Sequence, residues 1–316
     1  MRYAVAVDDA RNFRQAAARS HVSQSGLSMQ VQKLEDLLGV KLFDRSRKPI
    51  LVTPTGALAL EQIRVILRAT EQLGQIASDE GAPRGRYRLG VIPTLSSTVL
   101  PLFVRDVVAQ YPDLELVVEE LKTEEIIARL QGDTLDAGLV ATPLAVPGLT
   151  ETPLAHERMF AYLAPGDPLL RRKRVTQTHL RDRELWVMPE GHCFRSQVLL
   201  YCESEGRGGA TTGAGRRAPG GIHFESGSFQ TLIRLVDEGL GATVLPALVV
   251  DGLAPARRDA QVRPLTRPTP VREIGLVTAR TDLRRRATEA LVALVAKALR
   301  RALGARPATA EVVPPR

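Results

Sequence analysis

Apolar and polar positions over the first 55 residues alternate in short blocks that predict small helices followed by a hairpin. Tyr3, Val5 and Ala6 lead to a polar bend at Asp8–Asn12, and Arg14–Arg19 carries the alanine-rich face of a small packed helix. Ser23 stands where its hydroxyl can accept from a free first-turn N–H of the next helix. In that helix Leu27, Val31, Leu34 and Leu38 recur at helical spacings as one apolar stripe, and Gly39 fits the stop. After it, KLFDRSRKPILVT alternates enough for a short two-stranded wing, with Arg45, Arg47 and Lys48 near its turn.

From Thr55 the period lengthens. Leu60, Ile63, Leu67, Leu73 and Ile76 fall near one face of a single helix, which predicts a dimerising linker over 56–80 between a 1–55 winged helix-turn-helix and the rest. SDEGAPRGR, rich in Gly, Pro and charge, ends this module. Strand and helix signals then alternate: RYRLGVI (86–92), a helix ending at Pro112, LELVVEE (114–120), a helix at Thr123–Leu130, and a strand at Leu135–Ala141. A second unit begins with the strand around MFAYLAP, and EIGLVTA (273–279) with the long helix after it returns to the first. The rhythm predicts a two-lobed α/β domain over 85–305, with lobe I at 85–153 and 268–305 and lobe II at 154–267. The stretch 206–221 reads as a flexible insertion, and 306–316 as a disordered tail.

Length and composition agree with this division. A chain of 316 residues holds about two domains' worth of sequence, and 44% hydrophobic content can fill cores without disulfide staples. No run approaches the ~18–20 apolar residues of a membrane span, and the start lacks the features of a secretory signal, so a cytoplasmic protein with no membrane partner is expected. The net charge of +8 makes an anionic partner plausible. It is poorly localised: residues 11–50 carry +5, but 251–316 carry +8.

In the N-terminal pattern a packed alanine-rich helix and a tight turn precede a helix with Ser23, Gln24, Ser25, Ser28 and Gln30 near its exposed side. Small and amide side chains of this kind can enter a major groove, while Arg45, Arg47 and Lys48 on the wing can meet phosphates or the minor groove. A solvated Ser/Gln-rich helix is the plainer reading. The segment resembles the winged helix-turn-helix of LysR-type transcriptional regulators in Ala16–Ala17, Val22–Gln24, Leu27–Ser28, Leu34–Glu35, Leu38–Gly39, Leu42–Phe43 with Arg45, and Thr53 with Gly56. It departs from that pattern at Ser25–Gly26, where Gly26 weakens the helix by up to ~1 kcal/mol relative to Ala, and in a first helix that starts a few residues late.

The two cysteines, Cys193 and Cys202, share one segment, GHCFRSQVLLYC. His192 precedes Cys193 and Arg195 comes two residues later; either cation nearby would favour the thiolate. Cys202 sits among Leu199, Leu200 and Tyr201, the setting of a quiet buried cysteine. Nine helical residues separate the two by ~13.5 Å, against about 7 Å for a disulfide. From the residues alone, a redox pair, inert core cysteines, a zinc site with His192 and His223, or a Cys/His hydrolase all stay open.

The segment also resembles the sensing region of the hydrogen-peroxide regulators within the LysR family. That resemblance implies Cys193 as the peroxidatic residue and Cys202 as its resolving partner, with a disulfide between them. It further implies Thr94 (in GVIPT), Thr123 (in EELKTEEIIARL), His192 and Arg195 as the peroxide pocket. Each threonine could instead cap its helix. The same resemblance implies a homotetrameric regulator with a periplasmic-binding-protein-like sensory domain, not an enzyme, without metal or cofactor. Its expected partners are double-stranded promoter DNA, hydrogen peroxide, RNA polymerase and cellular thiol reductants. Two further classes compete: a LysR-type regulator answering a small organic ligand in the interlobe cleft, and an enzyme or transport-type binding protein with an accessory DNA-binding domain.

Overall fold

The computed structural model describes every residue except 48, 77–81, 182, 184, 204–226, 267, 281, 283 and 316, and leaves out the side chains of 68, 71–76 and 203. The chain forms two compact units, Met1–Gly81 and Ala82–Arg316.

In the first unit α1 (Arg2–Ala10), α2 (Phe13–Arg19) and α3 (Gln24–Leu38) precede the wing strands β1 (Phe43–Asp44) and β2 (Leu51–Val52), and α4 (Pro54–Ile76) closes the unit. The expected bend at Asp8–Asn12 is confined to its end. Helix α1 runs through Asp8 to Ala10, Arg11 turns left-handed, and the Asn12 side chain caps α2 by accepting from the N–H groups of Arg14 and Gln15. Ser23 caps α3 as expected, accepting from Gly26 N at 3.1 Å. A Cβ at position 26 would stand 3.0 Å from Ser23 Oγ, so the glycine that weakens the helix also leaves room for its cap. Leu27, Val31 and Leu34 are buried, whereas Leu38, at the helix end, is 42% exposed and lies outside the stripe.

The α4 stripe serves its own unit first. Leu60 and Ile63 are buried against α1–α3 and Leu67 packs on the same cluster, while Leu58 and Ile66 are exposed. Arg64 ties the helix to α1 through Asp8 (2.7 Å) and Asp9 (2.6 Å). Leu73 and Ile76, expected on that face, lie outside the described side chains.

The second unit opens as an α/β repeat: β3 (Gly85–Val91), α5 (Pro93–Gln110), β4 (Leu114–Glu120), α6 (Thr123–Gln131) and β5 (Ala137–Thr142). The three strands are parallel, with β3 between β4 and β5. Next comes β6 (Leu149–Leu163), which begins ten residues before the expected strand at Met159. Its first half, TETPLAHER, shows too little apolar alternation to announce a strand; antiparallel pairing with a later strand holds it. Beyond β6 come β7 (Val175–Thr176), α7 (Gln177–Arg181), β8 (Leu185–Trp186), α8 (Cys193–Glu203), α9 (Phe229–Asp237), β9 (Ala242–Pro246), α10 (Ala247–Asp251), α11 (Pro255–Gln261) and β10 (Val262–Thr266). The chain returns along β11 (Thr269–Ala279) and α12 (Arg285–Leu303).

Two hydrophobic cores result. One gathers β3–β5, α5, α6, β11 and α12, with Leu291, Val295 and Leu299 of α12 buried in it as the return to the first lobe requires. The other gathers the far half of β6 with α8, α9 and β9. Strand β6 runs through both, pairing with β11 over Leu149–Arg158 and with β9 over Met159–Leu163. The 206–221 insertion lies outside the described residues.

The expected tail at 306–316 is corrected. Ala310–Val312 forms β12, paired in parallel with Thr269–Val271 of β11, and Val313 is buried in the second core. A single apolar side chain fills a gap there that a polar, proline-containing terminus does not advertise. No described helix is long and apolar enough to cross a membrane.

Candidate functional site

The first unit presents a concave, basic surface. A cavity of about 620 Å³ is bordered by Arg11, Arg14, Gln15, Gln24, Arg45 and Arg47, so the helix start, the wing and the α1–α2 junction converge. Ser23, Gln24, Ser25 and Gln30 are exposed on α3 as expected, although the Ser23 hydroxyl is engaged as the cap. Arg11 and Arg14 register in the sequence only within a charge count, because their place beside the wing depends on how α2 packs. Arg11 is paired with Asp8 at 2.9 Å; Arg14 and Arg47 form no ion pair with a described residue. Lys48 lies outside the described residues.

Arg45 is a clamp rather than a free phosphate ligand. It donates to Ser28 Oγ (3.1 Å) and Glu35 Oε2 (3.0 Å) and lies over the Phe13 ring at 4.8 Å. Glu35 is almost fully buried, and its other oxygen accepts from the N–H groups of Leu42 (2.7 Å) and Phe43 (3.2 Å). This carboxylate therefore anchors the wing to α3. Replacing Glu35 with Ala leaves the N–H groups of Leu42 and Phe43 without partners and removes the ion pair of Arg45, and should cost about 2–3 kcal/mol, measurable by urea unfolding. Operator affinity should fall with it.

In the second unit α8 starts at Cys193 after a turn in which Gly191 has φ +84°, a conformation that would strain a side chain. His192, Cys193, Arg195 and Thr123 border one cavity of about 380 Å³, with Glu124, Glu190 and Ser196. Thr94 does not reach it. Its hydroxyl, 2% exposed, accepts from Arg272 Nη1 at 3.1 Å, and its carbonyl accepts from Nη2 at 3.2 Å. Neither threonine is an N-cap: those positions are Ile92 and Lys122. The Thr123 Oγ1 is buried without a full hydrogen bond of its own, and its hydroxyl favours ionisation of the Cys193 thiol.

Arg272 is the site residue that the sequence motifs do not announce. It and Glu157 are both fully buried and form a two-point ion pair, Nε and Nη2 each 2.7 Å from Glu157 Oε2, while Glu157 Oε1 accepts from Leu248 N. The guanidinium also lies over the Phe194 ring at 5.2 Å. Its charge, not that of Arg195, is the cation acting on Cys193; Arg195 donates instead to the Met188 carbonyl at 3.2 Å. An arginine next to the apolar run of a strand is a sequence signal for such a buried pair, but its partner lies 115 positions away.

The cations expected around Cys193 do not produce a low thiol pKa. Burial pushes the thiol above its ordinary range, and Arg272, Thr123 and the backbone N–H groups of Phe194 and Ala141 oppose this without reversing it. Burial likewise lowers the His192 imidazole, with the Lys122 charge adding to it and Glu120 opposing. His192 is thus a neutral neighbour rather than a second cation.

The cysteines are not disulfide-bonded, and they stand at the start and near the end of one helix. Cys193 packs in the first core and Cys202, 0% exposed, in the second. At 1.5 Å rise per residue the helix holds them ~13.5 Å apart, so a bond between them requires α8 to unwind. Gln197, between them, donates to the Val313 carbonyl at 2.6 Å. His223, considered for a zinc site, lies outside the described residues; among those described, no group of three or more His, Cys, Asp or Glu could hold a metal.

Residues 1–57 match the profile of bacterial regulatory helix-turn-helix proteins of the lysR family, and residues 80–300 match the LysR substrate binding domain. The chain belongs to the LysR family of transcriptional regulators. It is a DNA-binding regulator and not an enzyme. It is 34% identical over 279 residues to the DNA-binding transcriptional dual regulator OxyR of Escherichia coli K12, covering 88% of this chain and 87% of the relative. To the hydrogen peroxide-inducible genes activator of Haemophilus influenzae it is 32% identical, with 88% of each covered. Among solved structures it resembles a full-length cysteine variant of OxyR from Pseudomonas aeruginosa (TM-score 0.69, 29% identity, 97% of both chains). It also resembles a hydrogen-peroxide-bound cysteine variant of OxyR from Corynebacterium glutamicum (TM-score 0.65, 27% identity, 96% of this chain and 92% of that one).

Proposed function

We propose that this LysR-family regulator senses hydrogen peroxide through Cys193 and signals by a disulfide with Cys202. The observation that carries the reading is a thiol at the wall of a cavity, with the Thr123 hydroxyl beside it and the Arg272 charge behind it. The Corynebacterium relative, solved with peroxide bound, supports the same ligand here. In the reaction the sulfur attacks one peroxide oxygen, an S–O bond forms as the O–O bond breaks, and the thiol proton leaves with the hydroxide as water. The Cys202 thiol then displaces the sulfenic oxygen as a second water, closing the disulfide. In this reading Thr123 and His192, which border the cavity with Cys193, donate to the departing oxygen, and Thr94 holds Arg272 in place. Arg195 borders the same cavity.

The disulfide demands that α8 unwind, which converts chemistry into a change of shape. Promoter DNA is read by Ser23, Gln24, Ser25, Ser28 and Gln30, with Arg47 and Lys48 on phosphates; helices such as α4 pair chains into dimers that assemble as tetramers. RNA polymerase is the downstream partner, antioxidant genes are the targets, and cellular thiol reductants reset the switch.

The test is peroxide titration of reduced protein with thiol counting by mass spectrometry and promoter footprinting on the same samples. Two thiols should disappear together and a Cys193–Cys202 crosslinked peptide should appear as the footprint changes. Cys193→Ser should abolish the response; a regulator answering a metabolite would keep it. A second expectation comes from the buried thiol. Only the thiolate attacks, and its titration lies above the ordinary ~8.5. Thiol loss should therefore accelerate about tenfold per pH unit from pH 7 to 8.5, and a plateau below pH 8 in stopped-flow traces would contradict the assignment.

A further inference from the structure

Another cavity of the Ala82–Arg316 unit shares no lining residue with the one at Cys193. It has a volume of about 620 Å³, and five cations border it against two carboxylates, Asp251 and Asp259. One of the cations, Arg263, is engaged with backbone. It donates to the carbonyls of Leu170 (2.7 Å), Arg172 (3.0 Å), Asp259 (3.0 Å) and Val262 (2.7 Å). These bonds stitch the end of a short 3-10 helix, Pro168–Arg171, to α11 and β10. The backbone that presents Arg171, Arg172 and Lys173 is thereby held, while their side chains are exposed and form no ion pair with a described residue. Arg258 does form one, with Asp251 at 4.0 Å. The apolar part of the lining is less exposed: Val250 and Val262 are buried, and Phe160, Leu170 and Pro264 are half-buried. Phe160 and Pro264 stand opposite each other across β6 and β10. The half-buried three keep area that an apolar occupant would remove from water.

This composition discriminates among anionic partners. A DNA duplex or a free phosphate gains nothing from Phe160, Leu170 and Pro264, and meets repulsion from Asp251 and Asp259. Apolar side chains with arginines beside them are instead the make-up of a contact between proteins. We infer that this cavity docks an acidic segment of a partner protein, its carboxylates on Arg171, Arg172 and Lys173 and an apolar side chain against Phe160, Leu170 and Pro264. Free cations on a held backbone draw the segment in, and the apolar contact selects it among other anions. The inference goes beyond the peroxide-sensing reading and does not depend on it: the surface serves whichever signal the regulator answers.

The experiment measures fluorescence anisotropy of labelled peptides with the full-length reduced protein. The peptide DEFDELDE should bind about fivefold or more tightly than DESDESDE, which has the same charge without the apolar side chains. Arg171→Glu combined with Lys173→Glu, both exposed, should weaken DEFDELDE about tenfold or more. A control pair with the same change of net charge, Arg105→Glu with Lys297→Glu at exposed positions of α5 and α12, should weaken it by less than about twofold. If the two variants weaken the peptide equally, only the net charge attracts it and the docking surface is wrong. If the two peptides bind alike, the apolar lining is not used and the inference is overturned. A random-sequence DNA duplex measured alongside decides the remaining case: if Arg171→Glu with Lys173→Glu releases the duplex and leaves the peptide bound, the surface meets nucleic acid and the protein partner is wrong.

Discussion

Arg272→Met should destabilise the second unit by about 3–5 kcal/mol, because it strands the Glu157 carboxylate at zero exposure with only the Leu248 N–H for company. Urea denaturation followed by tryptophan fluorescence measures the loss. The same change removes the positive charge that favours the Cys193 thiolate, so oxidation by peroxide should slow about tenfold or more. A second substitution separates the two effects. Adding Glu157→Gln replaces a charge by an amide whose oxygen can still accept from Leu248, and most of the stability should return. The oxidation rate should not. If the double variant regains both, Arg272 matters only as a structural ion pair and the electrostatic role assigned to it is wrong.

Deleting residues 310–316 should cost about 2–4 kcal/mol, the burial of Val313 together with the bond that satisfies Gln197. The loss should be specific in place. Gln197 lies on α8 midway between the cysteines, so without the Val313 carbonyl the helix that the proposed disulfide would unwind is held by fewer contacts. Hydrogen exchange should rise over 193–203 more than over α12, and disulfide formation after peroxide should be faster than in the full chain. Val313→Asp, which keeps the chain length, should reproduce both trends. Unchanged exchange in α8 would remove the C-terminal strand from the switching account.

Much of the architecture is readable from local pattern. LELVVEE is a strand over the predicted residues, and the α3 boundaries come from Ser23 and Gly39, because a cap and a left-handed stop act within a few residues of the feature they create. The failures share one cause. Arg272 and Glu157, Gln197 and Val313, and the early half of β6 are each defined by a partner more than a hundred residues distant. Alone, each reads as a surface charge, a surface amide, a tail or a loop. The candidate site divides the same way: Cys193, His192 and Thr123 are visible within short motifs, while the cation behind the thiol is not, since Arg195 is the nearer in sequence and Arg272 the one whose charge reaches the sulfur.

If the proposed disulfide forms, the placement of the two cysteines in different hydrophobic cores gives that switch its set point. Forming it would draw on the packing of Val198, Tyr201 and Cys202 in the second core, so the free energy that holds those side chains would enter the reduction potential directly. For a two-electron couple about 1.4 kcal/mol corresponds to 30 mV. A tighter core stabilises the dithiol and raises the potential, making the disulfide easier to reduce; a looser core lowers it and prolongs the oxidised state. The threshold and the reset time of such a switch would then be adjustable by substitutions at buried positions that touch neither sulfur nor oxidant.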